Sequence, residues 1–395
     1  MKRVGLVKTC MVGALLSGVV WAAPGMQARA ADIPLKAPAA DESPALWWFR
    51  GEVEAGGRFF LNDPQRNGSS YLGQKSLAKF YEYSDRRPGP FSNFWLSTGS
   101  GNGLYQIDLG GLNVGYDDQY FYLSASKAGE HYFNFIWDQT PHLYSTSAQT
   151  IFSGVGSNTL TTPCNTGANA LATGSLAAQG GKINPCLSQT DIGIRRDTAA
   201  ADYRWTPSDP WDIRADYSHM HRYGTQVDGI IGLGSDSPGG NPVELPKPVD
   251  DVTQNYGLNG EYAGTSPWGK AVTFKLAYAG SQYTDSFTSY TAQSPFTGGA
   301  DAVARMSTWP SNNANGFGGT LAADLPWKSH YVGNVNYTMM RQDDAFIPMT
   351  NSPVAPVGVN PIVATTLPAS SLNGAINTTL INNVLTTKLT PELTS

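Results

Sequence analysis

The stretch GEHYFNFIWDQTPHLYSTSAQTIFSG, Gly129 to Gly154, reads as a run of aromatics until its residues are taken alternately. An extended chain sends successive side chains to opposite faces. His131, Phe133, Phe135 and Trp137 then fall on one side, and Tyr132, Asn134 and Asp138 on the other with Ile136 among them. The segment follows a second alternating run, Tyr120 to Lys127, through a short Ala-Gly joint, so the two together predict an antiparallel hairpin. Phe121, Leu123 and Ala125 join the apolar face, and Tyr122, Ser124 and Ser126 join the polar one. Such an apolar face has two possible destinations: the core of a soluble sandwich, or the lipid around a membrane barrel.

The N-terminus sets the compartment. Lys2, Arg3 and Lys8 precede an apolar run through Val12, Leu15, Leu16, Val19 and Val20, and Ala28-Arg29-Ala30 supplies a small-x-small cleavage site. Residues 1–30 therefore read as an export signal and 31–45 as a periplasmic linker, leaving 46–395 for the folded part. The signal holds four basic residues and no acidic one, so the 26 Lys and Arg fall to 22 against 31 Asp and Glu, a net charge of about −9. A chain this acidic argues against nucleic acid as a partner. No apolar run of about 18 residues follows the signal, so entry into a membrane would have to be by strands. Of the three cysteines, Cys10 leaves with the signal, and the remaining pair in an exported protein, Cys164 and Cys186, is expected to form a disulfide in a long external loop from about Gln139 to Arg196. The chain contains no C-x-x-C-H, so it carries no covalently attached c-type haem.

With 43 Gly, 19 Tyr, 15 Phe and 10 Trp but only 14% charged residues, the composition favours strands and turns over helices. Three segments then repeat one layout: DTAAADYRWTPSDPWDIRADYSHMHRY from Asp197, NYGLNGEYAGTSPWGKAVTFKLAY from Asn255, and NGFGGTLAADLPWKSHYVGNVNYTMM from Asn315. Each is a strand, a short turn with Pro-Trp, and a strand. Between them lie long loops rich in Ser, Thr, Asn, Gly and Pro. Alternation of short turns with long loops is the asymmetry of outer-membrane barrels, whose periplasmic turns are short and external loops long. The faces agree. Asp202, Arg204, Asp212, Arg214 and Asp216 share one side of the first repeat and are expected to face a lumen, while Ala199, Ala201, Tyr203, Ile213, Ala215 and Tyr217 face lipid. Trp205, Trp211, Trp268 and Trp327 flank the short turns and are expected to form an interfacial aromatic girdle on the periplasmic side.

GEVEAGGRFF from Gly51, KFYEYSD from Lys79, DLGGLNVGYDDQYFYLSA from Asp108 and FIWDQTPHLYSTSAQTIFSGVGSNTLTTP from Phe135 resemble the N-terminal part of the MtrB/PioB family, from about Trp47 to Pro163. The resemblance implies an outer-membrane porin that sheaths a decahaem c-type cytochrome, so that electrons cross the outer membrane through haems carried by the partner. It implies that the barrel itself is not an enzyme. Some members carry a Cys-x-x-Cys pair near the mature N-terminus; Ala31 to Phe60 contains no cysteine, which is closer to the PioB side, associated with iron oxidation. A general diffusion porin with a water-filled pore is the alternative, because both need polar lumens.

Other chemistry is weaker. His219 and His221 stand two apart, a spacing metal ligands can use, but they fall at the outer end of the lipid-facing register where polar side chains belong. Asp117-Asp118, Asp250-Asp251 and Asp343-Asp344 lack the ligand density of a calcium loop and read as solvated strand ends. GLGSDSPGG from Gly232 lacks the strand–turn–helix context of a phosphate loop and reads as an external loop. The expected fold is all-β, a transmembrane antiparallel up-and-down β-barrel. Asn377 to Lys388 reads as a last strand returning toward the periplasm, and the chain then stops at Thr390-Pro391-Glu392, similar to Thr206-Pro207-Ser208 at the start of an earlier turn. That suits the N-terminal part of a longer protein, an incomplete barrel of roughly a dozen strands where such barrels range from about 8 to 26.

Overall fold

The computed structural model describes residues 46–61, 67–71, 74–163, 184–231, 242–293, 303–347 and 367–388. The signal segment, the linker, Cys164, the Gly232 loop and the Thr390 turn lie outside the described residues. In chain order the strands are β1 (Trp47–Arg58), β2 (Asn67–Tyr71), β3 (Gln74–Ser76), β4 (Gly89–Ser100), β5 (Tyr105–Val114), β6 (Tyr120–Lys127), β7 (His131–Thr150), β8 (Thr159–Leu160), β9 (Ser188–Trp205), β10 (Trp211–Ile231), β11 (Pro242–Thr265), β12 (Ala271–Asp285), β13 (Ser289–Gln293), β14 (Val303–Ser307), β15 (Asn312–Leu325), β16 (Ser329–Gln342) and β17 (Gly374–Thr387). One helical turn, α1 (Ala78–Tyr81), precedes β4, and a 3-10 turn at Asn184–Cys186 precedes β9.

Twelve of these strands form a single sheet in the order β1-β4-β5-β6-β7-β9-β10-β11-β12-β15-β16-β17, every pair antiparallel and adjacent along the chain once the loop strands are set aside. This is the up-and-down order expected of a barrel wall, and the strand number is the dozen expected. The sheet is not closed: among the described residues β1 and β17 are its edges.

Short turns at 101–104, 128–130, 206–210, 266–270 and 326–328 gather at one end of the sheet. Each is made by local chemistry. In the β6–β7 turn Gly129 takes φ 79°, a conformation that costs a residue with a Cβ, and the Glu130 amide donates to Lys127 O at 3.0 Å. The connections at the other end, 59–88, 151–187, 232–241, 286–311 and 343–373, are long; only 115–119 is short among them. The cysteine loop is shorter than the sequence implied. A loop from about Gln139 to Arg196 was expected, yet β7 runs to Thr150 and pairs with β9 from Ser188, with register shifts at Leu143/Ser145 and Ser145/Ala148 that hide the continuing strand from a strict period of two. The last strand is likewise displaced: it spans Gly374–Thr387 where Asn377 to Lys388 was expected.

The sheet itself has almost no buried core. The compact apolar cluster lies beyond its long-loop end, where Phe152, Leu160, Val243, Leu245, Tyr290 and Ala292 pack together with Ile151 and Met306 against them. It forms around a second sheet, β14-β13-β8, in which β13 pairs in parallel with β8 through Thr291↔Thr159 and Ala292↔Leu160.

Candidate functional site

Residues opposite each other in an antiparallel ladder share a face, so the register sorts every side chain of the wall. One face carries Leu96, Leu109, Leu123, Phe135, Ala201, Tyr217, Tyr256, Tyr278, Phe317, Tyr337 and their alternate neighbours. Many of these are exposed: Leu258 is 53%, Leu276 55% and Phe317 50% accessible. Such a face carried across ten neighbouring strands, far larger than a soluble surface tolerates, needs a non-aqueous neighbour.

That face has two borders. At the short-turn end stand stacked or edge-on aromatics: Trp47 against Tyr105 at 6.1 Å, His131 against Trp205 at 6.3 Å, and Trp211 against Tyr262 at 5.1 Å. Trp205 and Trp211 close their strands on the apolar face; Trp268 and Trp327 sit in the turns themselves, Trp268 donating from Nε1 to Asp324 O at 3.0 Å. Trp327 and Lys328 hold φ of 60° and 55°, left-handed values unusual for residues with side chains, and Trp327 is 88% exposed. The opposite border is a polar row in register: Gln139 opposes Asp197, Asp197 opposes His221, His219 opposes Gln254, Gln254 opposes Gln282, and Gln282 opposes Asn313, which opposes Arg341. From His131 to Gln139 the chain rises about 26 Å, which a tilt of about 40° shortens to about 20 Å, close to the ~25 Å apolar band of an outer-membrane wall.

The other face is polar. Asp202, Arg204, Asp212, Arg214 and Asp216 lie on it together, since Arg204 opposes Arg214 and Asp202 opposes Asp216. The same parity adds residues that sequence reading passed over: Glu52, Glu54, Asp108, Glu261 and Lys275. Their signal is the alternation of GEVEAGG and of the Asn255 repeat, fainter than that of the Asp197 repeat because charges are sparser there. Polar groups of this face satisfy one another, across neighbouring strands and along single strands. Asn93 donates to Glu54 at 2.8 Å, Ser97 and Gln106 donate to Asp108, Ser124 donates to Asn134 at 2.8 Å, and Asn134 donates to Asp202 at 2.9 Å. Arg204 and Arg214 both hold Asp212, at 2.8 and 2.9 Å. Asp216 lies across Gly257, where a Cβ would collide with its carboxylate. β17 departs from the segregation: Leu380 opposes Asn336 and Val384 opposes Val332 on the polar side.

The minor candidates resolve into local pairs. His221 contacts Asp250 at 2.7 Å and stacks on Tyr223 at 4.8 Å. Among the described residues no group of three or more His, Cys, Asp or Glu could hold a metal ion. Asp117 takes Arg195 at 2.8 Å and ties a loop to β9, and Asp344 accepts the Ser311 amide at 2.6 Å and joins two loops, whereas Asp251, expected at a solvated strand end, is 1% accessible within β11 and takes Arg222 of β10 at 2.6 Å. Cys186 is disulfide-bonded, and Cys164, its expected partner, lies outside the described residues.

A single antiparallel up-and-down sheet with an apolar face, aromatic and polar borders, and a hydrogen-bonded polar face defines the wall of an outer-membrane β-barrel. The family model for the outer membrane beta-barrel porin MtrB/PioB matches residues 74–395, and the chain belongs to that family. The match runs well past Pro163, the end of the resembling segments quoted above, and it does not separate the PioB side from the MtrB side. No curated protein matches the chain.

Proposed function

We propose that this wall sheaths a multihaem c-type cytochrome, a decahaem protein entering from the periplasmic side, and that electrons cross the outer membrane through the partner's haems. The chain supplies no redox group of its own; it excludes lipid, holds the partner and spans the bilayer, and extracellular iron is a donor consistent with the PioB-like wording. The observation that carries the reading is the lateral pairing on the polar face. A charge already paired within the wall, as Asp212 is by Arg204 of the neighbouring strand and Arg214 of its own, can be covered by a protein without leaving an ion buried and unpaired. The exposed carboxylates of Glu52, Glu54, Asp202 and Asp216 favour a partner surface bearing Lys and Arg.

A diffusion porin is the second reading, favoured by those same exposed carboxylates, which would tune a water-filled pore toward cations. Purification from the native membrane separates the two. Haem staining of a partner that co-purifies in fixed ratio supports the sheath; steady ion conductance from preparations without haem supports the pore.

A further inference from the structure

The loop between β12 and β15 does not continue outward from the ends of its strands. Register shows which way it turns. β10 and β11 pair without interruption from Trp211↔Tyr262 to Ile231↔Pro242, so Asp228, which opposes Leu245, lies on the same face as Asp212 and Asp216. Arg222, Lys247, Val243 and Leu245 lie on that face too. These are the residues the loop meets. The Tyr290 hydroxyl, on a fully buried ring, donates to Asp228 Oδ2 at 2.7 Å. Trp309 is held between Lys247 Nζ at 4.2 Å and the Arg222 guanidinium at 5.0 Å. Val243 and Leu245 pack with Tyr290, Ala292, Phe152 and Leu160.

The cap so formed is clasped by a second connection. β13 pairs with β8 of the cysteine-loop region, and the Gln293 side chain accepts both the amide and the hydroxyl of Thr162, at 2.8 and 3.1 Å. A loop that owns a core and a bridging sheet is a fixed part of the fold, since segments open easily only where buried apolar contacts are few. Burial and the Asp228 carboxylate also push the Tyr290 hydroxyl well above its ordinary range, so it keeps its proton as the donor.

We infer that β8, β13 and β14 form a permanent inward constriction at the long-loop mouth, which passes ions and small solutes and refuses polymers and folded protein. The inference rests on the polar face being the interior. Its consequence is a conduit open to a protein from the short-turn end and narrowed at the other.

The test places a reporter below the cap. Asn255→Cys lies on the polar face and is exposed, and the full chain carrying it is expressed in the outer membrane of cells that lack the cytochrome. Intact cells are treated with a small charged maleimide or with the same group on a wide polymer. The small reagent is expected to label and the polymer to fail. Replacing residues 287–308 by a short Gly/Ser link, or truncating the core as Leu160→Ala with Tyr290→Ala should the deletion not assemble, is expected to admit the polymer. Polymer labelling past the intact cap, or no gain in either variant, overturns the constriction while leaving the sheath to the haem stain. If the small reagent fails even after cap removal, the interior assignment falls as well, and the constriction with it.

Discussion

The wall and the cap of this molecule keep their shape by different physics, although two of the wall's own strands run through both. In the wall, Leu258 and Leu276 are more than half exposed, and what matters is which solvent each face meets. In the cap, Leu160 and Leu245 are each 1% accessible and Tyr290 is fully buried, and what matters is how well the volume is filled. Strands β10 and β11 pass from one regime to the other. At Leu258 they form a sheet one residue thick between two solvents; at Leu245 the same ladder becomes one side of a packed core. The wall should therefore tolerate changes of size and refuse changes of polarity, and the cap the reverse of the first.

The largest effect is expected in the cap. Phe152→Ala removes a ring that is 2% accessible from a cluster of six, and should cost about 3–5 kcal/mol of local stability. Hydrogen exchange read by mass spectrometry should show β8, β13 and β14 opening while β4–β6 keep their protection. Loss of protection across the whole wall would mean that the two regions are one cooperative unit. Next in size is Leu276→Arg, which puts a charge in the apolar band and should destabilise the membrane-inserted state by about 2–4 kcal/mol. Asn336→Arg, on the polar face, should be near neutral in the same urea titration in lipid vesicles. Equal losses from both would remove the distinction between the faces.

A smaller effect tests the joint between the regions. Asp228→Ala takes away the acceptor of the Tyr290 hydroxyl and leaves a buried polar group unpaired, at a cost of about 1–3 kcal/mol. It should loosen the cap in the same exchange measurement without changing heat-modifiable migration of the barrel.

The two regions also differ in how much of them the amino-acid order discloses. A wall strand declares itself locally: alternation at Phe133, Phe135 and Trp137 against Tyr132 and Asn134 needs no knowledge of the rest of the chain, and each Pro-Trp turn fixes which strands pair. That is why the strand order, the two faces and the family could be read from the sequence. The cap has no such signal. Its defining pairs, Thr291↔Thr159 and Thr162 with Gln293, join residues about 130 positions apart in stretches whose Ser, Thr and Gly content reads as plain loop. Val243 and Leu245 stand between prolines, and Pro246 and Pro248 disguise β11 as coil although β11 is the longest strand, 24 residues. Short parallel pairing between distant loops is decided by what the wall brings together.

The smallest expected effect is the most informative about the polar face. Asp212→Asn leaves Arg204 and Arg214 adjacent without the carboxylate that both now hold. If water fills the space over that face, the two guanidiniums are solvated, their repulsion is screened, and the loss should be about 1 kcal/mol or less. Their side chains are 37% and 55% accessible in the isolated chain, in keeping with that outcome. If the face were instead pressed against lipid or a dry protein interior, removing the shared carboxylate would strand two charges and cost several kcal/mol. The urea midpoint of Asp212→Asn in vesicles, measured without the cytochrome, therefore reports the solvent of the wall's inner side. A small shift without the partner that grows when the cytochrome is bound would mean that the partner replaces that water over the Arg204–Asp212–Arg214 cluster. A small shift that does not change would mean that the cluster stays wet in the complex, and that the contact between sheath and cytochrome lies elsewhere on the polar face.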